Sequence, residues 1–168
     1  VCEPDAQGPV GVALAGFMAV GKTTVGQLLA TRLGLRFVDL DEVIEVQEGT
    51  SIPTIFSTRG EAAFRAAERR ALDAVLGTGP AVLALGGGTV HHADNLERVR
   101  QVMPVVVLDA PWTVIAERLA DSTDRPLASG GRSLWQARRA GYLSAGPVVD
   151  VANLDPEQVV DRVMAVLA

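Results

Sequence analysis

A three-layer α/β/α fold with a five-stranded parallel sheet is the class that this sequence predicts. Three observations predict it. Five largely apolar runs of four to six residues recur along the chain, at Val10–Ala15, Leu35–Val38, Ala81–Leu85, Val105–Leu108 and Val148–Val151. Segments with helical periodicity separate them. Most of the runs are apolar throughout instead of alternating, as strands covered on both faces are.

The elements follow in order. The first run ends in "GFMAVGKTT", and Thr23–Leu33 reads as a helix. Helical segments at Asp41–Gln47 and Pro53–Phe56 follow the second run. Glu61–Leu76 is a long amphipathic helix, with apolar residues at 64, 67, 71, 72 and 75 on one face. The third run leads into Gly86-Gly87-Gly88. Ala93–Val102, Thr113–Ala120 and Leu134–Leu143 read as helices, and Pro156–Leu167 is the last, with proline in its first turn. Asp121–Ser133 has no apolar period and carries Arg125 and Arg132; it reads as a mobile loop between two helices. Residues 1–9 read as a flexible tail and residues 10–168 as a single domain.

The composition narrows the function. At 168 residues and 48% apolar, the chain is long enough for one sizeable core and too apolar for disorder. Its formal charge of −5 argues against a general nucleic-acid binder. No apolar run reaches the roughly 18 residues that a membrane span needs. The single cysteine, Cys2, has no internal partner, and a reducing, cytoplasmic setting is expected. Residues 1–9 do not resemble a signal peptide.

Ligands of open parallel sheets sit beyond the carboxyl ends of the strands. Gly16-x4-Gly21-Lys22-Thr23 lies there, between a strand and a helix, which is the context a phosphate-binding P-loop requires. Its glycines let backbone N–H groups converge on phosphate oxygens, and the helix N-terminus adds partial positive charge. Lys22 is the only lysine beside fourteen arginines. A compact mobile ammonium serves near the outer phosphates where a wide planar guanidinium does not. Thr23 is the expected Mg2+ ligand. Ala19, Val20 and Thr24 belong to the same nucleotide-binding stretch, Thr24 mainly as a structural residue.

"FVDLDEVIE" places Asp39 and Asp41 two apart at the end of the second strand, on one face if the segment is extended. One carboxylate is then available to the metal region and the other to an alcohol acceptor, whose proton needs a base. Helix capping competes as an explanation for either aspartate. Arg65 is suited to a carboxylate grip, although its i, i+4 spacing from Glu61 also fits a solvated helix face. Arg125 is placed to stabilise a transferred phosphoryl from a closing loop. Of Arg138 and Arg139, at most one faces the site. His91 and His92 read as surface or capping residues, and Trp112, Trp135 and Tyr142 as packing residues.

Together "GFMAVGKTT", "FVDLDEVIE", "IF…RGEAAFR..E", "LALGGGTV" and "R……RPL" resemble the shikimate kinase family, small P-loop kinases of the nucleoside monophosphate kinase fold. The resemblance runs from about Val10 to Ala168. It implies a phosphoryl transfer from ATP to the 3-hydroxyl of shikimate, in the chorismate and aromatic amino acid pathway. It also implies that Gly16, Gly21, Lys22 and Thr23 bind ATP phosphates and Mg2+, with Asp39 holding the metal through water. Asp41 would bind ring hydroxyls and serve as base. Arg65 would grip the substrate carboxylate and be held by Glu68. Phe56 and Phe64 would line the pocket, and Gly86, Gly87 and Gly88 would let the backbone approach the substrate. Arg125 would be the lid arginine, within a lid at about 121–133, and Arg118 would stack on adenine opposite Pro156. The family's second carboxylate-binding arginine lies four residues before a tyrosine, which selects Arg138. A monomer is expected. Two positions depart from the family pattern: Ala19 stands where glycine is usual, and "RRAGY" where leucine and proline usually precede the tyrosine. A gluconate kinase would share the P-loop and lid but need not share "GGG" with "FR..E".

Overall fold

The computed structural model describes residues 11–92, 94–121 and 130–168. Five strands, β1 (Val12–Ala15), β2 (Arg36–Asp39), β3 (Ala81–Ala84), β4 (Val105–Asp109) and β5 (Val148–Asp150), form one parallel sheet in the order β2-β3-β1-β4-β5. Among the described residues, seven α-helices connect and cover them: α1 (Lys22–Leu33), α2 (Leu40–Glu48), α3 (Ile52–Leu76), α4 (Asn95–Val102), α5 (Trp112–Ala120), α6 (Gly131–Leu143) and α7 (Pro156–Leu167). The class expected from the sequence is the class observed.

The three central strands are apolar at nearly every position and lie fully inside the core. Each large aliphatic side chain so buried contributes about 1.5–3 kcal/mol. That burial on both faces explains why these strands carry no polar alternation. The edge strands differ: β2 begins with the exposed Arg36, and only the middle residue of β5 is buried.

The strand order positions the site. Chain order runs outward from β1 to β2, back to β3 between them, and then across to β4. The carboxyl ends of β2, β3 and β1 are therefore neighbours, and strands lie about 4.8 Å apart. Residues that follow these three strands are brought to within about 10 Å of one another. The loop after β1 leaves where the winding direction reverses, against β4. A Cβ at Gly16 would lie 2.4 Å from the Leu108 carbonyl oxygen.

Two elements differ most from the sequence expectation. The helical segments expected at Pro53–Phe56 and Glu61–Leu76 are one element, α3, bent at Gly60 (φ 80°, ψ 175°). That combination is essentially restricted to glycine. The loop expected over Asp121–Ser133 does not reach Ser133, because Gly131, Arg132 and Ser133 form the first turn of α6 with Gly130 as N-cap. Gly and Ser favour caps over helix interiors, which hid this turn. Arg125 and the expected tail, residues 1–9, lie outside the described residues. A 3-10 turn, Thr89–His91, follows the triple glycine and had no sequence signal.

Candidate active site

The glycine loop after β1 closes on itself. Lys22 Nζ donates to the Gly16 carbonyl at 2.7 Å and to the Phe17 carbonyl at 3.0 Å. Gly21 caps α1, so the loop delivers the chain to a helix N-terminus, where free N–H groups favour anions. Ala19 adopts φ 60°, the one positive φ at a non-glycine among the described residues. A side chain in this region costs about 1–2 kcal/mol, so the departure at Ala19 carries real strain. Arg118 from α5 lies over this segment and donates to the carbonyls of Val20 at 3.0 Å and Ala19 at 3.4 Å.

The two aspartates are arranged differently from the extended segment expected. Asp39 ends β2 and is the N-cap of α2, accepting from the Asp41 N–H at 3.0 Å. Asp41 is in the first helical turn, so a shared extended face does not apply. A helix start turns the chain instead, and Asp41 Oδ1 comes to the mouth of β3, where a Cβ at Gly86 would lie 2.6 Å away. The second oxygen of Asp39 accepts from Thr23 Oγ1 at 3.1 Å. Capping and site placement are thus both true of Asp39.

A cleft of about 1360 Å3 runs along these strand ends. Ala19, Val20, Gly21, Lys22, Thr23, Thr24, Asp39, Asp41, Gly87, Arg118 and Pro156 all line it, with Met18 and Leu154, which sequence reasoning did not single out. Single apolar residues at a cleft wall leave no pattern by which to find them.

Beside Gly87 the cleft adjoins a second group. Glu68 is 1% exposed. One of its oxygens accepts from Arg65 Nη1 at 2.9 Å and the other from Thr89 Oγ1 at 2.7 Å. Arg65 also reaches Glu61, at 3.3 Å, so the solvated-face pairing exists but is the weaker contact. Held this way, the Arg65 guanidinium lies along Gly88, where a Cβ would stand 3.0 Å from Nη1. Phe64 is buried beneath and stacks with the half-exposed Phe56 at 4.5 Å between centroids.

Across the glycines stands α6. Arg138 Nη1 donates to the Gly87 carbonyl at 3.1 Å. Arg139 instead pairs with Asp109 at the end of β4, at 2.7 Å, and lies over the Trp135 ring. Of the two consecutive arginines, Arg138 is the one beside the glycine turn. Tyr142, read from the sequence as packing, is buried and also donates its hydroxyl to Gly87 O. Burial pushes its pKa up to about 12, so the hydroxyl remains a donor at neutral pH. His91 is not the surface residue expected. Its ring packs edge-on against Tyr142 at 4.7 Å, and burial lowers its pKa, aided by the charge of Arg138.

A loop shaped for phosphates shares one cleft with the Asp41 carboxylate, and two guanidiniums adjoin it around a glycine turn. The fold and this site define a P-loop phosphotransferase with a small anionic acceptor. The family model for shikimate kinase matches residues 18–168, and the chain belongs to the shikimate kinase family. A shikimate kinase of Persephonella marina is 36% identical over 155 residues, covering 90% of this chain and 94% of its own. The solved shikimate kinase of Acinetobacter baumannii, in complex with shikimate, superposes with a TM-score of 0.86 at 30% identity, over 94% of this chain and 92% of its own. A gluconokinase of Sinorhizobium meliloti shares the fold alone, with a TM-score of 0.62 at 19% identity over 95% and 92% of the two chains.

Proposed function

We propose that this chain transfers the γ-phosphoryl of ATP to the 3-hydroxyl of shikimate, giving shikimate 3-phosphate and ADP. One observation carries the reading: Asp41, Arg138 and Arg65 stand at Gly86, Gly87 and Gly88 in turn. Two guanidiniums suit a carboxylate. A carboxylate one strand end away suits the ring hydroxyls.

The P-loop binds the β- and γ-phosphates, with Lys22 turning from the loop carbonyls to the phosphate oxygens. The acceptor oxygen attacks the γ-phosphorus as its proton passes to Asp41, and the bond to the bridging oxygen breaks to leave ADP. Arg118 and Pro156, both on the cleft wall, receive the adenine. Arg125 covers the transferred phosphoryl. Phe56 and Phe64 bound the acceptor pocket.

The residues present fit Mg2+. Thr23 Oγ1 and Asp39 Oδ2 are hard oxygens 3.1 Å apart at the foot of the loop. Mg2+ is commonly held by one or two protein oxygens together with phosphate oxygens and water. When bound, it would neutralise charge on the phosphates. Among the described residues, no helix is long and apolar enough to cross a membrane. We place the protein in the cytoplasm as a monomer.

The test is ADP release by the purified protein with Mg2+ and ATP, in the presence of shikimate, gluconate or no acceptor. Release that requires shikimate is expected. Release that gluconate supports equally, or that needs no acceptor, overturns the reading.

A further inference from the structure

The 3-10 turn Thr89–His91 touches both arginine arms of the acceptor site. Through Thr89 it bonds Glu68, which holds Arg65. At its other end His91 lies in a gap in α6. A Cβ at Gly141 would stand 2.4 Å from His91 Cε1 and 2.6 Å from Nδ1, so the ring occupies the space that any side chain at 141 would need. The opposite relation holds with Tyr142, which meets the ring at an interplanar angle of 79°. Edge-to-face pairs of this kind attract beyond what area burial alone gives. The Tyr142 hydroxyl and Arg138 Nη1 then share one acceptor, the Gly87 carbonyl.

We propose that His91 is a positioning residue for the acceptor: seated against Gly141, its ring fixes Tyr142, and Tyr142 fixes the Gly87 carbonyl on which Arg138 rests. This rests on the reading that Arg138 faces the acceptor carboxylate. The ring's Nε2 is buried without a partner among the described residues. Burial and the charges of Arg138, His92 and Arg65 lower its pKa, which keeps the ring neutral beside two guanidiniums. A buried, unbonded nitrogen is costly, so packing and not hydrogen bonding is what the ring supplies.

The experiment has a binding arm and a substrate-free arm. His91→Ala should raise the KM for shikimate about ten-fold, below the roughly 100-fold that a 1 Å misplacement can cost. The KM for ATP should stay within about two-fold, and kcat should fall less than the shikimate KM rises. Gly141→Ala, whose new methyl meets the ring, should raise the shikimate KM as well. The double variant should recover most of the loss, because the methyl then enters vacated space. His91→Phe, which keeps a ring and removes the nitrogens, should rescue. In the free protein, amide exchange over Gly86–Val90 should quicken in His91→Ala and slow again in the double variant. Unchanged exchange, quicker exchange with an unaltered shikimate KM, additive single effects, or equal changes in both KM values would each overturn the proposal. Absence of shikimate-dependent ADP release in the unsubstituted protein overturns the acceptor assignment instead, and the exchange arm still decides whether His91 braces Gly87.

Discussion

The two ends of the cleft are built by different means. At the nucleotide end one continuous stretch, Gly16–Thr24, supplies the loop, the lysine and the helix start. Its internal bonds run from a side chain to backbone carbonyls. At the acceptor end, Asp41, Arg65, Glu68, Thr89, Arg138 and Tyr142 come from α2, α3, the 3-10 turn and α6; Arg65, Glu68 and Thr89 bond side chain to side chain, and Arg138 and Tyr142 both reach the Gly87 carbonyl. A backbone cradle is sensitive to dihedral angles and to one cation. A relay is sensitive to every member, because removing one releases the next. The nucleotide end therefore tolerates change around it, while the acceptor end carries specificity and is easily detuned.

The largest expected effect breaks the nucleotide end. Lys22→Ala should lower shikimate-dependent ADP release on the order of 1000-fold, with an unaltered circular dichroism spectrum. Activity within about ten-fold of normal would mean that the loop's backbone alone suffices. Next, Arg65→Ala should raise the KM for shikimate about thirty-fold, as loss of about 2 kcal/mol of charge-assisted bonding implies. The KM for ATP should hardly move. Equal loss for both substrates would erase the distinction between the two ends.

Two smaller effects sharpen it. Ala19→Gly relieves a φ of 60° at a non-glycine residue. Relief of about 1–2 kcal/mol is partly offset by the added freedom of the unfolded chain, about 0.4–1 kcal/mol. The melting temperature should rise by about 2 °C; a fall would show that the strain is not stored there. The smallest effect concerns pH. The pKa of His91 is lowered in the fold from a usual value of 6.5. Below that value the unfolded chain binds a proton that the folded chain refuses, so stability falls as pH drops. Above it, this contribution is fully present. The groups facing the ring, Arg138, Arg65 and His92, oppose its charging. A denaturation series from pH 7.5 to 5 should show a shallower decline in His91→Phe than in the unsubstituted protein, and parallel curves would contradict it.

Much of this was legible in the sequence. Buried parallel strands betray themselves as apolar runs, and all five begin within two residues of the expected position. The last helix begins at Pro156 as expected, because Asp155 and Gln158 form a capping box around it. The P-loop was legible for the same reason that it is simple: it is contiguous. The acceptor end was legible in part: Asp41 and Arg65 stand out by their chemistry, whereas Glu68, the three glycines and Arg138 were reached only through family resemblance, since these partners are far apart in the chain. Asp39 illustrates a limit of weighing capping against catalysis, because one carboxylate with two oxygens does both. Arg138 and Arg139 are adjacent on a helix, and what separates them is Asp109, a neighbour in space that the helix sequence does not mention. His91 and Gly141 are fifty residues apart, and neither is informative without the other.

The bend at Gly60 has a bearing on engineering. Residues eight apart on a straight helix are about 12 Å apart along its axis, yet the Phe56 and Phe64 rings lie 4.5 Å apart. Only the reversal at Gly60 brings them together. A Cβ there would meet nothing within 4 Å, so the constraint is one of backbone angle and not of room. On the proposed acceptor assignment, the stretch Ile52–Arg59 carries one wall of the pocket, set at an angle by Gly60 to the rod that carries Arg65 and Glu68. A designer seeking new acceptors can vary the half-exposed Phe56, while Ile55, buried in the core, and Gly60 must be kept.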